Sequence, residues 1–150
     1  MVIDMSAFTE AELEYLSTQR LGRLATVQPD GTLQVSPVGF HHNAELDTID
    51  IGGYNMAASR KFRNVADNGR VAFVIDDVPS VDPWQVRCWE LRGRGEAVDP
   101  PVENGPGGPG HADGATIRIR PERIISFGID QTAPEPRLLR PNNRDVNRDT

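Results

Sequence analysis

Apolar positions along the chain change period several times, and each change marks an element. Phe8, Leu13 and Leu16 recur at helical spacing around Thr9, and Glu12 stands three residues after that threonine. Thr9 can accept from the free N–H groups of a first turn while Glu12 reaches back. This is a capping box, with Phe8 and Leu13 as a hydrophobic staple. A helix over residues 9–19 is expected, ended by Gly22. The period then shortens to two. Residues 23–28 and 32–38 read as strands around Pro29-Asp30-Gly31, where proline presets φ and glycine accepts a positive φ. Residues 47–51 make a third strand, and Gly52-Gly53 permit a sharp bend and close approach of another group.

The helical period returns over residues 56–67, with Ala58, Phe62, Val65 and Ala66 on one face and Asn68-Gly69 as the stop. Residues 71–75 are five apolar side chains in succession, the pattern of a strand buried on both faces. Residues 86–97 alternate: Arg87, Trp89, Leu91, Gly93 and Gly95 face one way, and Cys88, Glu90, Arg92, Arg94 and Glu96 the other. A last hairpin is expected from residues 115–120 and 123–129 around Pro121-Glu122. Residues 100–114 hold five glycines and four prolines, so a flexible surface loop is expected there. About seven antiparallel strands and two helices argue for one α+β barrel domain over residues 1–129. Residues 130–150 form a C-terminal tail, flexible or packed across a partner.

Composition narrows the class. The chain has 150 residues, 37% hydrophobic, with 14 glycines, 12 prolines and one cysteine. That is one loop-rich globular domain with no internal disulfide. No apolar run is long enough to span a bilayer, and no secretory signal opens the chain. A cytoplasmic protein is expected. The net charge of −6 gives no bulk attraction to nucleic acid. The charge is unevenly placed, however. Residues 1–55 carry eight acidic and two basic side chains, whereas residues 56–75 carry Arg60, Lys61, Arg63 and Arg70 against Asp67. On charge alone such an island reads first as a solvated helix face, and second as a local anion site.

Its position gives the second reading suitable chemistry, of a kind that many surface helices also match. Ser59 and Arg60 fall in or near the first turn of the second helix, where free N–H groups and the helix dipole attract anions. Arg60 offers a planar fork for phosphate oxygens and Lys61 a point charge. Arg60, Arg63 and Asn64 are expected on one face. Ser36-Pro37-Val38 interrupt a strand, because proline lacks a ladder donor, and leave backbone groups free for the edge of a planar ring. From the segment alone, an edge strand with no ligand is the favoured reading. His41-His42 point to opposite faces and cannot share a metal ion, and no metal site is expected. Asp76-Asp77 read as a solvated turn, and Cys88 has no histidine partner that would make it a nucleophile. The cluster at residues 105–110 opens no helix, so no Rossmann turn or P-loop is expected.

Taken in order, Arg20-Leu21-Gly22-Arg23-Leu24-Ala25-Thr26, Pro29-Asp30-Gly31, Val35-Ser36-Pro37-Val38, Ser59-Arg60-Lys61 and Val71-Ala72-Phe73-Val74-Ile75 resemble the pyridoxamine 5′-phosphate oxidase-like superfamily. With Asp76-Asp77 and Arg92-Gly93-Arg94-Gly95-Glu96, the set is most similar to the actinobacterial subgroup of F-420-dependent enzymes. The resemblance covers residues 8–129. It implies an FMN-binding type of split β-barrel and a homodimer with two cofactor sites at the subunit interface. It implies that Ser36, Pro37 and Val38 line the cofactor ring and that Ser59, Arg60 and Lys61 hold its phosphate. Arg63 would extend the basic surface toward a glutamate-bearing tail, and Gly53 and Asn55 would let that tail approach. No Arg-x-His motif stands near the C-terminus, which speaks against vitamin B6 oxidation.

The function expected is hydride transfer between coenzyme F-420 and a small conjugated substrate, with no side chain singled out as catalytic. The alternatives are an FMN-dependent oxidoreductase and a non-enzymatic carrier of F-420 or flavin.

Overall fold

The computed structural model describes residues 6–100, 113–129 and 139–146. Helix α1 (Glu10–Thr18) starts on the expected capping box: Thr9 Oγ1 accepts from the Glu12 amide, and Glu12 returns a carboxylate oxygen to the Thr9 amide. Strands β1 (Leu21–Val27), β2 (Leu33–Gly39), β3 (His41–Asn43) and β4 (Thr48–Ile51) follow. After a 3-10 turn (Met56–Ala58) come helix α2 (Arg60–Asn68) and three long strands, β5 (Arg70–Val81), β6 (Trp84–Val98) and β7 (Thr116–Phe127). A short β8 (Asn142–Asp145) ends the described chain.

All pairings are antiparallel, in the order β2-β1-β5-β6-β7-β4-β3, with β8 also on β7. The two ends of that order, β2 and β3, are consecutive in the chain and separated by Phe40 alone. A sheet whose ends are one residue apart must curl into a barrel. One edge of β7 is divided: Ile117–Ile119 pair with β4, and Arg123–Ser126 pair with β8. The molecule is a split β-barrel of the α+β class.

The barrel is filled by Leu24, Ile49, Ile51, Phe73, Ile75, Trp89, Leu91, Ile117, Ile119 and Ile124, all essentially inaccessible. Trp89 meets Phe8 and Phe73 edge to face at 5.4 and 6.5 Å. Helix α2 closes the interior with Phe62, Asn64 and Val65. Asn64 donates to Thr26 and Gln34. Gly69, at φ 68°, ends α2 in the left-handed conformation, its N–H on the Val65 carbonyl.

Several expectations need correction. The helix expected over 56–67 is broken at Ser59, which is extended (φ −77°, ψ 153°) because it caps α2. Ala58 and Ala66 are exposed, and Asn64 is buried instead of sharing the solvent face of Arg60 and Arg63. Residues 71–75 alternate: Val71, Phe73 and Ile75 are buried, Ala72 and Val74 only half so. There is no hairpin at Pro121-Glu122. β7 runs through, and Gly93 pairs with Pro121 while Arg92 pairs with Arg123, leaving Glu122 as a bulge. A bulge tolerates a proline that the middle of a regular ladder would not. Asp76-Asp77 lie within β5, since the turn comes later, around Asp82-Pro83. The expected loop at 100–114 and the cluster at 105–110 fall almost wholly outside the described residues, as do tail residues 130–138 and 147–150. Among the described residues, no helix is long and apolar enough to cross a membrane.

Candidate functional site

A groove of about 830 Å³ opens where the end of β2 meets the segment joining β4 to α2. Pro37, Val38 and Gly39 form one wall. Gly52, Gly53, Tyr54 and Asn55 form the floor and lip, and Met56, Ala58, Ser59 and Lys61 the far side. Six residues singled out in the sequence therefore meet in one place: Pro37, Val38, Gly53, Asn55, Ser59 and Lys61. A Cβ added at Gly52 would touch nothing, and one at Gly53 would meet Met56 at an ordinary 3.6 Å. These glycines are not needed for packing; what they do is keep the floor of the groove low.

The floor is fixed from outside. Asp113 donates its N–H to the Gly53 carbonyl at 3.0 Å and accepts from the Ala57 amide at 3.0 Å and the Ala115 amide at 3.1 Å. One residue thus holds both ends of the segment that carries Tyr54, the Gly53 end by its backbone N–H and the Ala57 end by its carboxylate.

At the far side, Ser59 is the N-cap of α2. Its Oγ accepts from the Phe62 amide at 3.2 Å and donates to the Met56 carbonyl at 2.7 Å. The hydroxyl is occupied by the cap, so its part in the groove is to aim the first free N–H groups of α2. No acidic residue stands in that turn. Seven described arginines elsewhere are held in ion pairs with carboxylates; Arg60, Lys61 and Arg63, like Arg20, Arg70 and Arg94, have none among the described residues, and here three such cations fall within four positions. Arg60 lies close enough to Asp30 to lower its carboxyl, a minor effect beside the hydrogen bonds from Thr32. Arg60 and Arg63 are exposed and lie outside the groove wall. Ser36 also lies outside it. Its Oγ is enclosed and without a hydrogen-bond partner, and only the following residues of β2 reach the groove.

The other candidates are structural. His42 Nε2 meets Asp47 Oδ1 at 2.9 Å, and Asp47 also accepts from Ser6 and the Ala7 amide. Asp77 is clamped by Arg87 and accepts from the Tyr15 hydroxyl. Burial and that hydrogen bond push the Tyr15 phenol far up. Burial, with Asp76 and Glu90 nearby, raises the Cys88 thiol and makes it less reactive. No group of His, Cys, Asp and Glu among the described residues could hold a metal ion. Sequence reasoning missed Tyr54, Gly39, Met56 and Ala58 in the groove. Tyr54 had a signal, being the one aromatic in a Gly-Gly-Tyr-Asn loop next to the basic island.

Comparison with known families matches residues 8–127 to pyridoxamine 5′-phosphate oxidase. The chain therefore belongs to that family, an oxidoreductase of the split-barrel class. It is 47% identical over 123 residues, 82% of this chain and 84% of the relative, to a 5a,11a-dehydrotetracycline/5a,11a-dehydrooxytetracycline reductase of Streptomyces rimosus. Among solved structures, HupZ of Group A Streptococcus superposes with a TM-score of 0.63 at 18% identity, over 84% of this chain and 99% of that one. The FAD binding protein from Mycobacterium smegmatis superposes with a TM-score of 0.55 at 19% identity, over 80% and 94%. At those identities the structures attest the fold alone.

Proposed function

We propose that the chain is a deazaflavin (coenzyme F-420)-dependent reductase that adds a hydride to a conjugated, electrophilic double bond. The observation carrying this is the uncompensated cationic start of α2 beside a large, mainly apolar groove. Free N–H groups, Lys61 and the dipole of α2 suit a phosphate. The wall from Pro37 to Gly39 suits a flat ring, and the exposed Arg60 and Arg63 suit a tail bearing several carboxylates. The reductase relative from S. rimosus supports the direction of the reaction, toward reduction of an unsaturated carbonyl compound.

When bound, the deazaflavin supplies the hydride; the protein's part is binding, orientation and exclusion of water. Lys61 and the α2 amides anchor the phosphate. The floor pinned by Asp113 keeps the substrate at a fixed height over the ring, where a small misplacement would cost rate.

A homodimer with the two sites at its interface belongs to the same proposal. The sheet face opposite α2 exposes Leu33, Val35 and Pro37 on β2 and Leu21 on β1, with Leu33 at 78% and Val35 at 66%. It continues into the half-buried Ala72 and Val74 of β5. Such a largely apolar face, crossed by Arg23, suits an interface, and Pro37 and Gly39 carry it to the groove's rim. A cytoplasmic location is the setting in which the reduced cofactor would be regenerated.

Titration of the purified protein with F-420 and with FMN, followed by fluorescence, tests the reading. Tight F-420 binding with FMN much weaker supports it. The reverse order assigns the protein to FMN. Binding of F-420 without hydride transfer to any unsaturated carbonyl acceptor makes it a carrier.

A further inference from the structure

The protein has two tyrosines, and the contrast between them points to a specificity residue. Tyr15 is 4% exposed, its hydroxyl bonded to Asp77 and its ring covered by the Arg87 guanidinium at 4.8 Å. Tyr54 is 68% exposed, on the lip of the groove, with no hydrogen bond or ring contact among the described residues. The exposure does not come from a loose backbone. Asp113 fixes the Gly53 carbonyl on one side of Tyr54 and the Ala57 amide on the other. An aromatic ring held out over a groove by a pinned backbone is a preorganised stacking surface, which loses little entropy on binding.

We infer that Tyr54 is a specificity-determining residue that stacks on the flat, fused-ring part of a polycyclic substrate, while the reacting double bond lies over the cofactor. This rests on the hydride-transfer reading and names its substrate class. The space agrees. Ligand pockets span about 300–1,000 Å³, and the groove, open to solvent and about 830 Å³ in volume, is large enough to admit a planar polycyclic molecule. Lys61 and the first α2 amides, aimed by the Ser59 cap, lie across the 3-10 turn (Met56–Ala58) from Tyr54, so the cofactor's phosphate end and the stacking ring occupy different parts of the groove. The chemistry asked of Tyr54 is its ring face alone. The hydroxyl is free but not required.

The test uses the full chain and its Tyr54→Phe and Tyr54→Ala variants, each loaded with F-420. Tetracycline serves as a fused-ring probe that binds without turnover, followed by equilibrium dialysis. Loss of a stacking partner weakens tetracycline binding by about tenfold in Tyr54→Ala and by less than about twofold in Tyr54→Phe, where the ring face remains. F-420 affinity and oligomeric state stay the same in both. Unchanged tetracycline affinity in Tyr54→Ala overturns the inference, as does absence of binding to the unsubstituted protein. A parallel loss of F-420 affinity, or a changed oligomeric state, also overturns it, since Tyr54 would then touch the cofactor or a second subunit. If the dialysis pattern holds but no acceptor is reduced, the reductase reading fails and the stacking site stands.

Discussion

Where α1 meets β8, and where β4 meets β7, buried charges are matched. Glu12, with its side chain 1% exposed, receives both terminal nitrogens of Arg144 at 2.6 and 3.0 Å, and Arg144 also donates to the Ala7 carbonyl. Asp50, equally hidden, takes Arg118, Asn43 and Thr48. At the start of α2 the opposite holds: three cations stand in a short stretch with no ion pair among the described residues, and an aromatic ring faces solvent. Buried charges left unpaired are expensive, so a fold must satisfy them internally. Exposed charges and rings cost little, and leaving them unmatched keeps them available to a ligand. The first region therefore predicts stability and the second predicts binding.

Substitutions can break that division. Arg144→Met leaves the Glu12 carboxylate buried without its cation and is expected to cost about 3–5 kcal/mol, read as a fall in the urea midpoint. Asp50→Ala strands Arg118, Asn43 and Thr48 and should cost about 3 kcal/mol, by the same measurement. The aspartates also set an acid limit. Asp77 is lowered by the hydrogen bonds from Arg87 and then Tyr15. For Asp50 and Asp47 burial pulls upward, but the hydrogen bonds outweigh it and both end low. A folded pKa below the unfolded value gives stability that is whole above the unfolded pKa and lost as pH falls through the folded one. The urea midpoint should therefore hold steady from neutral pH to about pH 4 and decline below it, less steeply in an Arg87→Met variant. Ser59→Ala removes a cap and should cost about 1 kcal/mol. If its cofactor affinity stays within about twofold, the part assigned to Ser59 as an aiming residue instead of a ligand is sharpened. Arg60→Ala with Lys61→Ala, on exposed or half-exposed positions with no ion pair to lose, should move stability by no more than about 0.5 kcal/mol.

What the sequence revealed follows the range of the interactions. The cap of α2 at Ser59 was hidden within a pattern read as helix from residue 56, but the capping box of α1 and the turn at Pro29-Asp30-Gly31 depend on residues within four positions, and both were legible. So was the gathering of Pro37, Val38, Gly53, Asn55, Ser59 and Lys61, because an ordered set of short segments resembled a family. Strand β8 was not, since Asn142–Asp145 carry no apolar alternation and are held by β7 and by Arg144 on Glu12, 132 residues away. The bulge at Glu122 looked like a turn because proline and glutamate mark both. Asp76-Asp77 looked solvated because their partners Arg23, Arg87 and Tyr15 arrive from other elements. Ser36 was chosen with its neighbours on β2, but its Oγ is enclosed, and the groove takes only the end of the strand, Pro37, Val38 and Gly39.

The most direct measurement is F-420 binding to the Arg60→Ala/Lys61→Ala protein beside the unsubstituted one, at one ionic strength, with the urea midpoint taken in parallel. Charge-assisted hydrogen bonds are worth about 1.5–3 kcal/mol each. The account predicts at least about a tenfold loss of affinity with the stability essentially unchanged. Equal affinity in the two proteins would contradict it and leave the start of α2 as an ordinary solvated helix end.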